Sequence, residues 1–148
     1  MNVQLAPLPA RHAPAGVDRD TLRALYSAIR HVTESLCEPL AIEDYVIQSM
    51  PDASPVKWHL AHTSWFFETF VLARHLSNYR PFHPDFNFLF NSYYEAVGPR
   101  WSRPARGLLS RPTVEEVYRY RAYVDAFMAD LVTSVDSSSL AALASIIV

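Results

Sequence analysis

Two histidines three residues apart are the side chains of this sequence best suited to metal chemistry. His59 and His62 lie in the segment SPVKWHLAHTSWFFE, residues 54–68, among tryptophans and phenylalanines. On a helix that turns about 100° per residue, four polar side chains share one face, which we assign to solvent: Lys57, Ser64, Glu68 and His75. His59 and His62 then flank Phe66 on the opposite face, and we expect both rings to point inward.

A buried imidazole needs partners for its ring nitrogens, because an unsatisfied polar atom in an apolar interior costs about 1–3 kcal/mol. A hydrogen bond to a tyrosine or a backbone carbonyl would satisfy either ring. The alternative is metal binding, since imidazole suits iron, zinc, copper or nickel, and a mononuclear site needs about three protein ligands. His12 and His31 precede the pair, and His83 falls in a predicted loop. The sequence therefore supplies only part of a metal site.

The long connection after this helix is rich in aromatic residues: Tyr79, Phe82, Phe86, Phe88, Phe90, Tyr93, Tyr94 and Trp101. Loops of this length inside a domain are usually functional or docked on another surface. Because so many exposed rings would form an apolar patch, we expect a partner to cover them, and another domain is the kind of partner we favour.

Four arginines follow within twelve residues: Arg100, Arg103, Arg106 and Arg111. Guanidinium groups at this spacing could converge on one small acid, and each could form a bidentate pair with a carboxylate. A solvated basic turn is the alternative interpretation. Four arginines in a chain with a net charge of −2 do not indicate nucleic-acid binding.

Four helical patterns position these residues and predict an all-α, up-and-down four-helix bundle. The first begins at Asp18 and ends at Glu38-Pro39, with one apolar stripe: Leu22, Leu25, Tyr26, Ile29, Thr33 and Leu36. The second starts at Ser54-Pro55, with Ser54 as the capping residue, and runs to about Leu76. A single helical turn is expected between them, over residues 42–47.

The third helix starts at a capping box formed by Thr113 and Glu116. Its predicted stripe is Val117, Tyr120, Val124, Phe127, Met128, Leu131 and Val135. A fourth pattern comprises Leu140, Leu143, Ala144 and Ile147. It reaches Val148 without a cap or a polar ending, so we expect the last helix to be incomplete. We expect residues 1–17 to form a flexible leader and residues 18–148 to form one domain.

Bulk composition restricts where the protein works. The single cysteine, Cys37, excludes an internal disulfide framework and fits a reducing compartment. No stretch approaches membrane-spanning length, and prolines interrupt the N-terminal segment where a signal peptide needs an apolar core. We therefore expect a cytoplasmic protein that binds neither membranes nor nucleic acid.

Three long motifs together resemble the N-terminal domain of the EgtB family, the non-haem iron sulfoxide synthases of ergothioneine biosynthesis. They are SPVKWHLAHTSWFFE, FNSYYEAVGPR and RGLLSRPTVEEV, and the resemblance covers most of residues 18–148. It implies a DinB-like four-helix bundle that family members follow with a C-type-lectin-like domain similar to formylglycine-generating enzyme. That second domain is absent from this sequence.

The resemblance also implies a reaction in which iron(II) and dioxygen join the sulfur of cysteine or γ-glutamylcysteine to trimethylhistidine. The family's W-x-L-A-H pattern makes His62 an iron ligand, while His59 supports it or forms a pocket wall. The two remaining ligands come from an H-x-x-x-H motif that this sequence lacks, so we expect the chain alone to be inactive. Arg100 and Arg103 are implied to hold carboxylates of the thiol substrate.

Two other functions stay open at this point. One is a stand-alone DinB-like metal-dependent thiol transferase, which would close its metal site within this domain. The other is a non-catalytic helical module that binds a partner through the aromatic connection.

Overall fold

The computed structural model describes residues 17–147, and all regular structure in that range is helical. The expected leader therefore lies, except for Val17, outside the described residues. The longer helices are α1 (Arg19–Ser35), α2 (Val56–Phe67), α5 (Val114–Ser134) and α6 (Ser137–Ile147). The π-helical turn Glu68–Leu72 joins α2 to α3 (Ala73–His75), and α4 (Phe86–Phe90) is short. The 3₁₀ segments are Ile42–Val46, Glu95–Val97 and Arg103–Leu108.

The helices pack around α2 and α5, which share the most extensive contact, and α1 lies against both α5 and α6. The all-α prediction is confirmed over the described residues, and so is the helical turn expected between α1 and α2. Between Val17 and Ile147, no helix combines the length and apolar character needed to cross a bilayer.

Local capping signals explain where two of the helices begin. Asp18 caps α1 by accepting a hydrogen bond from the Thr21 backbone N–H at 2.8 Å. Thr113 and Glu116 form the predicted capping box of α5, with bonds of 2.7 and 3.2 Å. The predicted cap at Ser54 is wrong, because Pro55 occupies the N-cap position and the Ser54 hydroxyl instead accepts from Arg106 at 2.8 Å.

The apolar rows of α5 and α6 form much of the core. Five members of the predicted α5 stripe are buried: Val117, Tyr120, Val124, Met128 and Leu131. Phe127 and Val135 are partly buried against them. On α6, Leu143, Ala144 and Ile147 are buried and Leu140 is partly buried, so both predicted stripes are confirmed.

The predicted stripe of α1 is only half right. Leu22 and Tyr26 are buried, whereas the exposed fraction rises from 38% at Leu25 through 50% at Ile29 to 75% at Leu36. Arg19 donates to the Val132 carbonyl at 2.9 Å, which joins the start of α1 to the end of α5, where α6 begins. At 1.5 Å per residue, the eleven residues of α6 span about 16 Å and cover only the first part of α1.

Arg30 takes the place of an apolar residue in the buried row of α1. Its Nε lies 2.7 Å from Asp125 Oδ1, within ion-pair range although the N–H is not aligned for a hydrogen bond. Its guanidinium also donates to Ser64 Oγ at 2.7 Å, and Asp125 accepts from the Tyr26 hydroxyl at 2.6 Å. These bonds satisfy a cation inside the packing of α1, α2 and α5, which hydrophobic periodicity alone does not reveal.

The aromatic connection is largely covered by the chain itself. Phe86 and Phe90 are buried, and Tyr79, Phe82 and Tyr94 pack partly buried against the core. Phe88 and Tyr93 remain exposed. The expectation that most of these rings need a covering partner is therefore wrong, because α2, the π-helical turn after it and α5 supply the apolar surface on which they pack.

Candidate functional site

The face of α2 that we assigned to solvent is in fact buried. Lys57 is 5% exposed and its amine donates to the Leu109 carbonyl at 2.8 Å, while Ser64 is buried against Arg30. Glu68 is also buried, at the start of the π-helical turn. The predicted orientation is wrong for these three residues, because partners from distant segments satisfy each polar group internally. Only His75 is exposed as predicted.

Glu68 links three parts of the fold. Its carboxylate accepts from the Tyr120 hydroxyl at 2.6 Å, the Tyr79 hydroxyl at 2.7 Å and the Phe82 backbone N–H at 3.0 Å. Burial and the adjacent carboxylate raise the pKa of both tyrosines, which therefore remain donors. This cluster anchors the aromatic connection to α5 and fixes the far end of the histidine helix.

The two histidines do not share one environment. His59 is exposed, so its predicted inward orientation is wrong, while His62 is partly buried. Desolvation by the surrounding protein lowers the pKa of both rings, and for His59 the charges of Arg106 and Arg103 lower the pKa further. Both imidazoles are consequently biased towards the neutral form that can bind a metal ion.

His62 is held in a defined orientation. Its Nδ1 lies 2.7 Å from the Phe90 carbonyl, which can only accept, so Nδ1 carries the proton in the neutral ring. The ring stacks between Trp58, with centroids 4.6 Å apart, and Trp65, at 5.3 Å. Nε2 is left with its lone pair, which is the arrangement found in metal-ligating histidines whose other nitrogen is tied to a carbonyl.

The Nε2 atom of His62 is available to a ligand. None of the described residues forms a hydrogen bond with it, and it is not among their enclosed, unpaired polar atoms, so solvent reaches it. Between Val17 and Ile147, however, no group of three or more His, Cys, Asp or Glu residues is placed to hold a metal ion. The described residues thus provide one oriented imidazole and no closed site.

Two of the four arginines, Arg100 and Arg103, form a basic cluster around Tyr93, which is largely exposed. The guanidinium carbons of Arg103 and Arg100 lie 4.6 and 5.1 Å from the centre of that ring, in cation–π range. Neither arginine has an ion pair with an Asp or Glu of the described chain. The structure therefore brings together the two residues predicted to hold a carboxylate, with their charges uncompensated.

Arg106 and Arg111 have different roles from that pair. Arg111 is exposed and donates to the neighbouring Ser110 carbonyl at 3.3 Å. Arg106 is only 3% exposed, and its guanidinium carbon lies 3.4 Å from the centre of the Trp58 ring. Burial, followed by the charge of Arg103, lowers the pKa of Arg106 to about 10.

Sequence reasoning missed Trp58, Trp65 and Tyr93 as parts of the site, and it treated Arg106 as an arginine that could bind a small acid, although Arg106 packs on Trp58. The two tryptophans could have been found, because they stand four residues before and three after His62, on the same side of a helix. Tyr93 lies in irregular backbone and Arg106 in a 3₁₀ segment. In such segments the spacing of residues along the sequence does not predict where their side chains point.

Comparison with known proteins places the chain at the level of a superfamily. No curated protein matches the sequence. The DinB superfamily matches residues 25–147, which is most of the chain and includes α2, the aromatic connection, the arginine cluster and α5. The helical architecture described above agrees with that match, and the chain belongs to the DinB superfamily.

Proposed function

We propose that this chain is the part of an iron(II)- and dioxygen-dependent sulfoxide synthase that supplies one iron ligand and the carboxylate clamp for the thiol substrate. The observation that carries the proposal is the orientation of His62, whose Nδ1–H is tied to the Phe90 carbonyl while Nε2 stays open. The second nitrogen of this partly buried ring has no partner among the described residues, and its open lone pair is what a metal ion would use.

The basic cluster of Arg100 and Arg103 supports the proposed carboxylate clamp for the thiol substrate. Arg100 and Arg103 stand over Tyr93 without acidic partners in the described chain. A carboxylate of cysteine or γ-glutamylcysteine would satisfy these donors and compensate their charge. His59 would form the wall between the clamp and His62, and the charges of Arg106 and Arg103 add to the desolvation that lowers its pKa.

The proposed reaction joins the thiol to an imidazole carbon of trimethylhistidine. The S–H and C–H bonds break, a C–S bond forms, the sulfur is oxidised to a sulfoxide, and dioxygen is reduced to the sulfoxide oxygen and one water. Iron would supply the oxygen chemistry when bound. In this chain, His62 presents a neutral nitrogen at a fixed angle, and the arginines hold the thiol substrate by its carboxylates, which lowers the entropic cost of bringing the reactants together.

One imidazole is too few for a tight site, so the other ligands must come from outside the described residues. We therefore expect the isolated chain to bind iron(II) weakly, with a Kd above about 1 mM, equivalent to about −4 kcal/mol. We also expect no turnover. A second domain, of the lectin-like kind that follows in the EgtB family, is the proposed partner that completes the substrate pocket.

An anaerobic iron(II) titration followed by NMR of the histidine rings tests the ligand assignment. The His62 resonances should broaden first, and His62→Ala should abolish this preferential broadening, whereas the exposed-site control His75→Ala should not. Broadening that favours another histidine would overturn the assignment. Tight stoichiometric binding would instead support a stand-alone metal-dependent thiol transferase, and sulfoxide formation by the chain alone would refute the expected inactivity.

The clamp is tested separately with γ-glutamylcysteine. Its addition should shift the side-chain resonances of Arg100, Arg103 and Tyr93. The Arg100→Ala/Arg103→Ala variant should bind about 100-fold more weakly or worse, because two charge-assisted bonds of about 1.5–3 kcal/mol each are lost. Arg23→Ala, on the exposed surface of α1, is the matched control. Unchanged binding in the double variant would favour the non-catalytic module.

A further inference from the structure

Four side chains form a continuous stack that begins at Arg106 and includes His62. The guanidinium carbon of Arg106 lies 3.4 Å from the Trp58 ring centre, and Trp58 and His62 are 4.6 Å apart with planes inclined by 16°. His62 and Trp65 follow at 5.3 Å and 18°. Two groups this close to one indole are too bulky to share a face, so Arg106 and His62 occupy opposite faces of Trp58.

Hydrogen bonds and ion pairs do not account for the burial of Arg106. It has no ion pair with a described Asp or Glu, and its Nε is enclosed without a hydrogen-bond partner. Its remaining bonds go to Ser54 Oγ at 2.8 Å and, more weakly, to Ser92 Oγ at 3.5 Å. Ser54 also lies just before α2, where the helix dipole disfavours positive charge. With so few polar partners, the compensation of this buried charge depends on the face of the Trp58 ring.

The stack supplies a constraint that the hydrogen bond of His62 cannot. The bond from Nδ1 to the Phe90 carbonyl fixes one atom of the ring but lets the ring pivot about that contact. The parallel indoles on either side remove this freedom. Trp58 and Trp65 are themselves tethered by their indole N–H groups, to the Leu89 carbonyl and to Asn87 Oδ1, each at 2.9 Å. Arg106 packs on the face of Trp58 that is turned away from His62.

We propose that Arg106 is a positioning residue that, by backing Trp58, fixes the ring plane of His62 and hence the direction of its Nε2 lone pair. The Arg106 side chain leaves the same 3₁₀ segment that carries Arg103, so the orientation of the histidine is tied to the placement of the arginine cluster. The role of this orientation in catalysis rests on the proposed function, but the orientation itself does not.

NMR of the metal-free chain tests the proposal, since the His62 carbon-bound protons lie between two indoles and should show large upfield ring-current shifts. Arg106→Met keeps side-chain length but removes the flat cation, and we expect about half or more of the His62 shift to be lost. Arg106→Lys keeps the charge without the flat group and should restore only a minor part of the shift. The resonances of His31, His75 and His83 should not move.

Met128→Ala, in the core of α5, is the matched control for general loosening. It should lower the melting temperature at least as much as Arg106→Met does and leave the His62 shift unchanged. An unchanged His62 shift in both Arg106 variants would overturn the proposal, and so would an equal loss of shift in Met128→Ala. Because no metal is added, this result is independent of the iron titration, and either hypothesis can fail alone.

Discussion

The side-chain amide of Gln48 and the backbone of Gly107 are joined by a hydrogen bond of 2.6 Å, from the Gly107 N–H to Gln48 Oε1. The Nε2 of the same side chain donates to the Arg103 carbonyl at 2.8 Å and to the Ala53 carbonyl at 2.9 Å. One carboxamide therefore holds both ends of the 3₁₀ segment Arg103–Leu108 against the connection before α2. This contact sets the position of the backbone that carries Arg103 and Arg106.

Gly107→Ala should destabilise the arginine segment through steric overlap. A Cβ at this position would lie 2.8 Å from Gln48 Cβ and 3.0 Å from Gln48 Oε1. We expect a loss of about 1–3 kcal/mol in the free energy of unfolding, measured by urea denaturation. In a Gln48→Gly background the opposing Cβ is gone, and the same substitution should cost clearly less. Equal costs in both backgrounds would contradict the steric explanation.

Glu68→Ala should be among the most damaging single substitutions in α2 and the π-helical turn. It leaves the Tyr79 and Tyr120 hydroxyls and the Phe82 N–H without their acceptor in a buried region. We expect the free energy of unfolding to fall by about 3 kcal/mol or more. Glu95→Ala, an exposed acidic residue in the aromatic connection, is the control and should be nearly neutral. A similar small loss at both positions would mean that the carboxylate does not organise this region.

Arg121 should tolerate methionine better than alanine. It is fully buried, and its guanidinium binds Glu34 at 3.0 Å, the Leu60 and Arg30 carbonyls at 3.2 Å each, and Thr63 Oγ1 at 3.1 Å. Arg121→Ala removes this volume and leaves several acceptors unpaired, and should cost about 3–5 kcal/mol in thermal or urea unfolding. Arg121→Met refills most of the space and should recover part of that loss. The exposed Arg119→Met controls for the change of charge.

His62 should make the fold sensitive to acid. Burial places its folded-state pKa below the ordinary value of 6.5, so the unfolded chain binds more protons between those two values. The stability contribution is therefore intact above pH 6.5 and is lost as the pH falls towards the folded-state pKa. His62→Gln should show a smaller drop in urea midpoint over this pH range than the unsubstituted chain, whereas His75→Gln should follow the unsubstituted chain. Parallel pH curves for all three proteins would contradict this assignment.

Local signals in the sequence predicted the start and the buried face of α5, but they did not predict which face of α2 is buried. The capping box at Thr113 and the apolar row after it act within one helix, and both are confirmed. For α2, the assumption that Lys57, Ser64 and Glu68 face water fails because their partners lie far away in the chain. Leu109 is 52 residues from Lys57, and Tyr120 is 52 residues from Glu68. Polar residues at a helical spacing do not show whether such partners exist.

The same distinction applies to the candidate site, where the residues could be predicted but their contacts could not. The importance of His62 and of the Arg100–Arg103 pair could be inferred from residue type and motif, and they remain predictions of function. The bond from His62 to Phe90 and the contact of Arg106 with Trp58 depend on how irregular segments fold back onto α2. Their geometry follows from tertiary packing, which no short-range pattern encodes.

Lys57 is the only lysine of the chain; the residue is 5% exposed and its amine donates to the Leu109 carbonyl. Reagents and enzymes that modify lysine side chains, such as succinimidyl esters, acetyltransferases or ubiquitin ligases, thus meet no accessible target of that type while the protein is folded. Acylation at Lys57 would occur only during opening of the region around the start of α2, so its rate would report directly how often that part of the molecule unfolds.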